Sequence, residues 1–416
     1  MFLYITIIEL WLYITNSGGF MEKYDISLPI HLKKGVYKLN KEKNFNYQLN
    51  RIINWDGGRL EDIEKISNLI ENSSDWKREL IKLGDTALAE GRIDNSIAYY
   101  RMSEFFMYDG DPDKIKYYKL ATEMFYEYYS DYFEGENPII ERLEAPYEDI
   151  KLPIMHVKPE NKSKGVLLIH GGNDSYFEEF LFSLLYLREK GFEVYLFEGP
   201  GQGGVVRVLN KHFTYMWEKP VKAVLDYLGI DDVTIIGISL GGYLAPRAAA
   251  FDKRIKKVVA WSVFPCFLDV IMGQLNKKTQ RLFKIAMKLH LKPVINKAFK
   301  KRAKKDPIID WGLKHGCYAY EANCAYEYAL KLKQYDILPI ADKIDQDMLI
   351  VGASNDHFID YHLINKEIDM LTNTKSLTFR LFTEKEEADN HCNVGNGKIV
   401  LDFITDWILG IDNKNN

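Results

Sequence analysis

Residues 233–243 read Val-Thr-Ile-Ile-Gly-Ile-Ser-Leu-Gly-Gly-Tyr, a β-branched run that reaches Ser239 with Gly237 and Gly241 two residues to either side. G-x-S-x-G is the pattern of a nucleophile elbow, where a strand turns abruptly into a helix and leaves the serine hydroxyl exposed at the tip. The glycines answer a steric need. The serine sits in a strained turn, and side chains at the flanking positions would collide with the neighbouring strand and helix. The string by itself also arises as an incidental Gly-Ser turn. Its surroundings decide between the two: an apolar run of strand length precedes it, and the alanine-rich stretch Tyr243 to Phe251 follows as a helix.

A serine hydroxyl is a weak nucleophile until a neighbouring base takes its proton, and that base must itself be oriented. Behind an elbow of this kind the acid and then the histidine follow the serine in chain order. Asp347-Met-Leu-Ile-Val-Gly-Ala-Ser-Asn-Asp356 supplies a buried strand, Met348 to Val351, and a loop leaving its C-terminal end. Catalytic groups of open parallel sheets collect at such ends, so Asp356 is the candidate acid. Asp360 reads as a cap of the next helix, and Asp347 lies at the wrong end of the strand. The alternating stretch Ser376 to Phe382 is one further strand, and of nine histidines only His391 follows it. His391 is therefore the candidate base, against the reading of a solvated loop histidine.

Two backbone amides are needed to hold the oxyanion. One is expected from Leu240, after the nucleophile. The other is expected from His170-Gly-Gly-Asn-Asp174, the loop after strand Val166 to Ile169. Gly172 is preferred there, with Gly171 and Asn173 as alternatives, and His170 reads as a buried structural residue.

With these pieces placed, the chain resembles a bacterial group of α/β-hydrolases that includes dihydroxypseudooxynicotine hydrolase, the fermentation-respiration switch protein and acylaminoacyl-peptidase-like serine hydrolases. The resemblance rests on HGGND at 170–174, EGPGQG at 198–203, GISLGGY at 237–243, GASND at 352–356 and ADNHCNVGN at 388–396. The last stretch is the most specific, and Asn393 stands where glutamine is usual in the group. The resemblance runs from about residue 45 onward and includes Asp75-Trp76 and Ala87 to Phe106. It implies an α/β-hydrolase fold, a mostly parallel doubly wound sheet with an N-terminal helical domain and a helical cap insertion. It also implies Ser239, Asp356 and His391 as a catalytic triad. A carbon–carbon hydrolase of the group uses an additional acid from its cap; Asp269 is the nearest counterpart, and the local sequence does not align clearly.

Composition sets the outer bounds. The chain has 416 residues, a net charge of −4, 47% hydrophobic and 27% charged residues, ordinary for a globular protein and without a global pull towards nucleic acid. Its four cysteines, Cys266, Cys317, Cys324 and Cys392, form no C-x-x-C pair and fit reduced thiols in a cytoplasmic protein. No metal or organic cofactor is expected. Met1 to Thr15 is strongly apolar, but it carries Glu9 and lacks a preceding Lys or Arg. It is read neither as a secretory signal nor as an integral membrane span, and Met21 is taken as the start of translation, leaving 1–20 as an annotation artefact or a disordered apolar segment.

The expected divisions are a helical domain at 21–136, a first core part at 137–264, a helical cap at 265–340 and a second core part at 341–412. In the helical domain Ile63, Ile66, Leu69 and Ile70 keep helical spacing, as do Leu80, Leu83, Ala87 and Leu88, in a single tetratricopeptide-like hairpin. Its dense tyrosines and phenylalanines read as core and interface packing, or else as an aromatic lid, and they admit a homodimer. In the cap, Lys277 to Lys305 holds twelve Lys/Arg and no acid, with Leu282, Ile285, Ala286 and Leu289 at helical spacing. Such a segment is commonly a solvated helix face; it can also lie on an anionic membrane or attract an acidic ligand.

The leading functional expectation is a serine hydrolase acting on an ester or related acyl bond of a small or medium substrate through an acyl-enzyme. Asn173 and Asp269 are further candidates for substrate contact. Cleavage of short acylated peptides, carbon–carbon bond hydrolysis and acyl transfer are the alternatives, and a non-catalytic binding protein is the reading from another class. An oligopeptidase with a β-propeller is not encoded, because residues 45–135 are helical.

Overall fold

The β-branched runs from residue 140 onward form one sheet in the structure, a computed structural model that describes residues 23–415. The expectations for Met1, Met21 and residues 1–20 lie outside the described residues. The described chain divides into two compact units, one of residues 23–31 and 37–140, the other of 32–36 and 141–415.

The first unit is helical: α1 (Lys43–Asn54), α2 (Leu60–Ser67), α3 (Ser73–Ala89), α4 (Ile93–Ser103), α5 (Pro112–Tyr128) and the single turn α6 (Ser130–Phe133). Its starts follow capping chemistry. The Asn72 side chain accepts from the amides of Ser74 and Asp75 to open α3, and Asp111 accepts from the Asp113 amide ahead of Pro112 to open α5. Of the residues grouped by helical spacing, Ile63, Ile66, Ile70, Leu80, Leu83 and Ala87 are buried, Leu88 is half-buried and Leu69, in the turn after α2, is exposed. Trp76, Tyr99 and Tyr100 are fully buried too, and the Trp76 indole donates to the Met102 carbonyl at 2.7 Å. Phe45 and Phe106 close on Trp76, and Tyr117, Tyr118 and Phe125 are buried as well, so most of these aromatic rings form the core of the helical unit. Two buried ion pairs, Arg101–Asp56 at 2.7 Å and Lys114–Glu104 at 2.5 Å, cross this core.

The second unit is a sheet of eight strands in the order β1-β2-β4-β3-β5-β6-β7-β8. They are β1 (Ile140–Tyr147), β2 (Ile150–Val157), β3 (Val166–His170), β4 (Glu193–Phe197), β5 (Val233–Ile238), β6 (Ile255–Trp261), β7 (Asp347–Ala353) and β8 (Ser376–Phe382). Strand β2 pairs antiparallel with β4, and every pairing from β4 through β3, β5, β6 and β7 to β8 is parallel. Parallel strands need crossover helices that cover the sheet faces. Here α7 (Leu181–Glu189), α8 (Gly203–Arg207), α9 (Glu218–Leu228) and α10 (Gly241–Phe251) serve the first half. Strands β5 and β7 are buried along their whole length. Chain order departs from spatial order at β3 and β4, so crossovers run outward in both directions from the centre. The loops at the carboxyl ends of β3, β5 and β7 open there on one rim.

Between β6 and β7 the alternation stops. Five helices fill the interval: α11 (Phe267–Gly273), α12 (Lys277–Lys288), α13 (Lys292–Ala303), α14 (Pro307–Ala319) and α15 (Ala325–Leu332). They carry a small core of their own around Met272, Phe283, Ile295, Tyr326 and Ala329. After β7 come α16 (Ile364–Met370), then β8 and the long terminal helix α17 (Gly397–Asn415). Among the described residues no helix is long and apolar enough to cross a membrane.

One buried acid gives a stability test. Glu367 on α16 accepts from the Phe264 amide at 2.8 Å, and burial pushes its carboxyl up to about 8 from 4.5. Between those values the unfolded chain has lost a proton that the folded chain keeps, so this group's contribution is complete at low pH and is lost as pH rises towards 8. Glu367→Gln keeps an acceptor for Phe264 and removes the titration. Denaturant unfolding should show the variant gaining on the parent by roughly 1 kcal/mol per pH unit from pH 5 to 8; a constant difference across that range would refute it.

Candidate functional site

Strand β5 delivers Ser239 as the elbow motif requires. Ser239 takes φ 60°, a left-handed backbone that a serine adopts only under constraint. Its amide donates to the Trp261 carbonyl at 3.1 Å and its carbonyl accepts from the Gly242 amide at 2.8 Å, so both sides of the turn are pinned. Gly237 is compelled by space: a Cβ there would stand 2.3 Å from the Gly241 carbonyl oxygen.

The other two sequence-predicted side chains arrive from 117 and 152 residues downstream. Ser239 Oγ is 2.9 Å from His391 Nε2, and His391 Nδ1 is 2.7 Å from Asp356 Oδ2. Asp356 stands in the loop leaving β7, where its other oxygen accepts from the amides of Phe358 and Ile359. That anchoring fixes the orientation of the carboxylate that meets the imidazole. His391 sits in a short turn after β8, with Cys392 and Asn393 in left-handed conformation at φ 50° and 57°. The Asn393 side chain holds this turn, accepting from the Trp261 indole at 2.8 Å and donating to the Ala388 carbonyl at 2.6 Å. Asparagine at this position therefore links the histidine loop to the end of β6. The Phe358 ring meets the imidazole edge-on at 5.1 Å.

Two opposed influences act on the imidazole. Burial disfavours its charged form, but the Asp356 carboxylate and the adjacent Cys392 favour it more, and the His391 pKa stands well above its ordinary 6.5. His170, fully buried against Phe197 and Trp217, goes the other way: burial pulls it down to about 4 and keeps it neutral.

The loop after β3 lies directly over the elbow. A Cβ on Gly172 would come within 2.6 Å of Ser239 Cβ and 2.8 Å of the Leu240 nitrogen, so only glycine lets the two loops close. The Gly172 amide itself donates to Ser175 Oγ at 2.9 Å. The amides of Leu240 and of Asn173 donate to no group of the described residues. The Asn173 side chain is engaged, accepting from the Tyr320 hydroxyl at 2.6 Å and donating to Asp174 at 3.0 Å.

Gln202 was not singled out from sequence, although it lies within the EGPGQG stretch. It is buried, and its Nε2 donates to the carbonyls of both Gly171 and Gly172, at 2.7 and 3.1 Å, while its Oε1 accepts from the Gly199 amide. Next to it, burial and the nearby Glu178 push the Glu198 carboxyl up to about 8, and Glu198 accepts from the Gly204 amide at 2.9 Å.

Asp269 makes its ion pairs with Lys366 and Lys284. Its carboxylate is bound to Lys366 at 2.6 Å on the wall of a cleft of about 630 Å³ whose lining includes Ser354 and Asp356 but not Ser239 or His391. Among the described residues no group of three or more His, Cys, Asp and Glu side chains is placed to hold a metal ion.

Comparison with known proteins agrees with this architecture. The model of the alpha/beta hydrolase fold family matches residues 165–382, from the start of β3 to the end of β8. Hydrolyase poxO of Penicillium oxalicum is 28% identical over 284 residues, which cover 58% of this chain and 65% of that protein. The chain thus spans just under two thirds of the length of that relative. Hydrolase acrC of Aspergillus aculeatus is 26% identical over 314 residues, 67% of this chain and 70% of that one. Among solved structures, 2,6-dihydroxy-pseudo-oxynicotine hydrolase superposes with a TM-score of 0.58 at 19% identity, over 86% of this chain and 94% of the other. That likeness concerns the fold alone.

Proposed function

Since the chain belongs to the alpha/beta hydrolase fold family, we propose that it is a serine hydrolase that cleaves an ester or related acyl bond through an acyl-enzyme. The observation that carries this reading is the unbroken relay from Ser239 Oγ to His391 Nε2 at 2.9 Å and from His391 Nδ1 to Asp356 at 2.7 Å.

Ser239 Oγ attacks the acyl carbonyl carbon while its proton passes to His391 Nε2. Asp356 keeps Nδ1 protonated and stabilises the imidazolium that results. The tetrahedral intermediate collapses, the bond to the leaving group breaks, and His391 returns the proton to that group. Water then attacks the acyl-enzyme as His391 takes its proton; the intermediate collapses, the bond to Ser239 Oγ breaks, and His391 returns the proton to that oxygen as the acid leaves. The negative oxygen formed at both stages needs donors already aimed at it. The unengaged amides of Leu240 and Asn173 are suited to this, with Gly172 supplying the close approach between the two loops rather than the hydrogen bond.

Labelling by a fluorophosphonate, followed by a panel of p-nitrophenyl esters of rising acyl length beside acyl-peptide anilides, tests the reading. Modification at Ser239 and turnover of at least one ester series are expected. A folded protein that leaves Ser239 unlabelled would favour the binding-protein alternative.

The raised pKa of His391 adds a sign that can be measured. The base accepts a proton only as neutral imidazole, so kcat/KM falls as pH drops through its free-enzyme pKa. The acid limb should therefore lie above the ordinary 6.5. Asp356→Asn removes the carboxylate that lifts it, so the residual activity should show that limb at lower pH. A wild-type limb at or below 6.5 would contradict the electrostatic account.

A further inference from the structure

Helices α12 and α13 combine two features that seldom share one surface. Leu282, Ile285 and Leu289 follow one another at intervals of three and four, and Leu291 and Val294 continue the patch into α13. These five side chains are between 39 and 60% exposed. The inner faces of the same helices are already provided for, since Phe283, Ala286 and Ile295 are buried in the insertion's own core. The outer apolar stripe is therefore surplus to the packing of the fold.

The surrounding charge is of one sign. Residues 277–305 contain twelve Lys and Arg and no Asp or Glu. Lys284 approaches Asp269 at 3.8 Å and Lys292 pairs with Glu327 at 2.8 Å. The other ten, among them Lys277, Lys278, Arg281 and Lys288, form no ion pair with the described residues. Asn276 opens α12 by accepting from the Thr279 amide; the first turn carries no acid, and its Lys277 and Lys278 are exposed.

We propose that the outer face of α12 and the start of α13 is a docking surface for an anionic lipid bilayer. The chemistry of the patch selects that occupant. A soluble polyanion would satisfy the cations and leave five exposed apolar side chains in water. A second copy joined through the same patch about a two-fold axis would set lysines against lysines. A bilayer with anionic headgroups accepts both parts: the stripe enters the headgroup–acyl boundary while the flanking cations meet phosphate and carboxylate groups. This holds whatever reaction the serine performs.

Cosedimentation of the full chain with vesicles is the test. In 0.1 M NaCl the chain should sediment with phosphatidylcholine vesicles containing 20% phosphatidylserine and stay in solution with phosphatidylcholine alone, and 0.5 M NaCl should release most of it. The double variant L282S/L289S and the triple variant K277E/K278E/R281E should each partition at least tenfold less. Both should keep the parent's thermal midpoint, because every altered side chain faces solvent. Equal binding to the two vesicle types, or undiminished binding of both variants, overturns the proposal. So does failure to sediment accompanied by a concentration-dependent oligomer that L282S/L289S abolishes, which would assign the patch to a second copy.

Discussion

Ser239→Ala is expected to lower kcat/KM for a responsive p-nitrophenyl ester by at least about 10⁴-fold while leaving the fold intact. The size follows from what the hydroxyl does. In the proposed mechanism it forms the covalent bond, and without it His391 has no proton to take from an attacking atom held at 2.9 Å. Alanine keeps Cβ, and the two backbone hydrogen bonds of residue 239 to Trp261 and Gly242 involve no side-chain atom, so the thermal midpoint should hold. His391→Ala should cost a similar factor. The double variant should be scarcely worse than either single one, because members of a relay act as a unit and their losses do not add. Residual turnover within tenfold of the parent, or losses that multiply in the double variant, would separate the relay from the chemistry and return Ser239 to a structural turn.

Why so much of this arrangement was legible in the sequence is itself physical. The elbow is a local steric solution, so its residues are contiguous, and the all-apolar run of β5 announces a strand covered on both faces. Chain order and strand ends then narrowed the acid and base to Asp356 and His391, which the structure brings within hydrogen-bonding distance of each other and of Ser239. The less legible parts depend on contacts across long separations. Gln202 reaches carbonyls 30 and 31 residues away, and nothing in its own neighbourhood distinguishes such a glutamine from a solvated one. The donor in the HGGND loop turns on whether Ser175 occupies the Gly172 amide, a local choice that composition does not reveal. In the insertion, the basic stretch 277–305 read as one amphipathic segment but is two helices. The break falls at His290, with φ 53°, and Pro293 opens the second helix. That proline, tolerated in a first helical turn and not in an interior, was the available signal.

The second large effect is expected from Gln202→Leu: a fall in kcat of about 10²-fold or more with KM changed little, the scale of a lost oxyanion donor. In a trans peptide the carbonyl and the amide of one unit point in opposite directions. By holding the Gly172 carbonyl, Gln202 aims the Asn173 amide away from itself; by holding the Gly171 carbonyl, it does the same for the Gly172 amide, which finds Ser175. Leucine fills similar space but leaves the Gly172 carbonyl unheld, while the Gly171 carbonyl keeps His170 Nδ1 at 3.0 Å and the Gly172 amide keeps Ser175. The Asn173 amide, proposed to meet the developing charge, then loses its preset direction. Gln202 would then be a positioning residue, since it acts through the loop and not on substrate. A conservative variant separates this from a merely structural role. In Gln202→Glu the ionised carboxylate can still accept from Gly199 but repels the two carbonyls, whereas the protonated acid can donate to one of them. Activity of this variant should therefore rise, relative to the parent, as pH is lowered, a dependence that general loosening of the core would not produce. If Gln202→Leu instead raises KM with kcat preserved, or if Gln202→Glu follows the parent's pH profile, the loop is oriented by something else and Asn173 has no claim to the oxyanion.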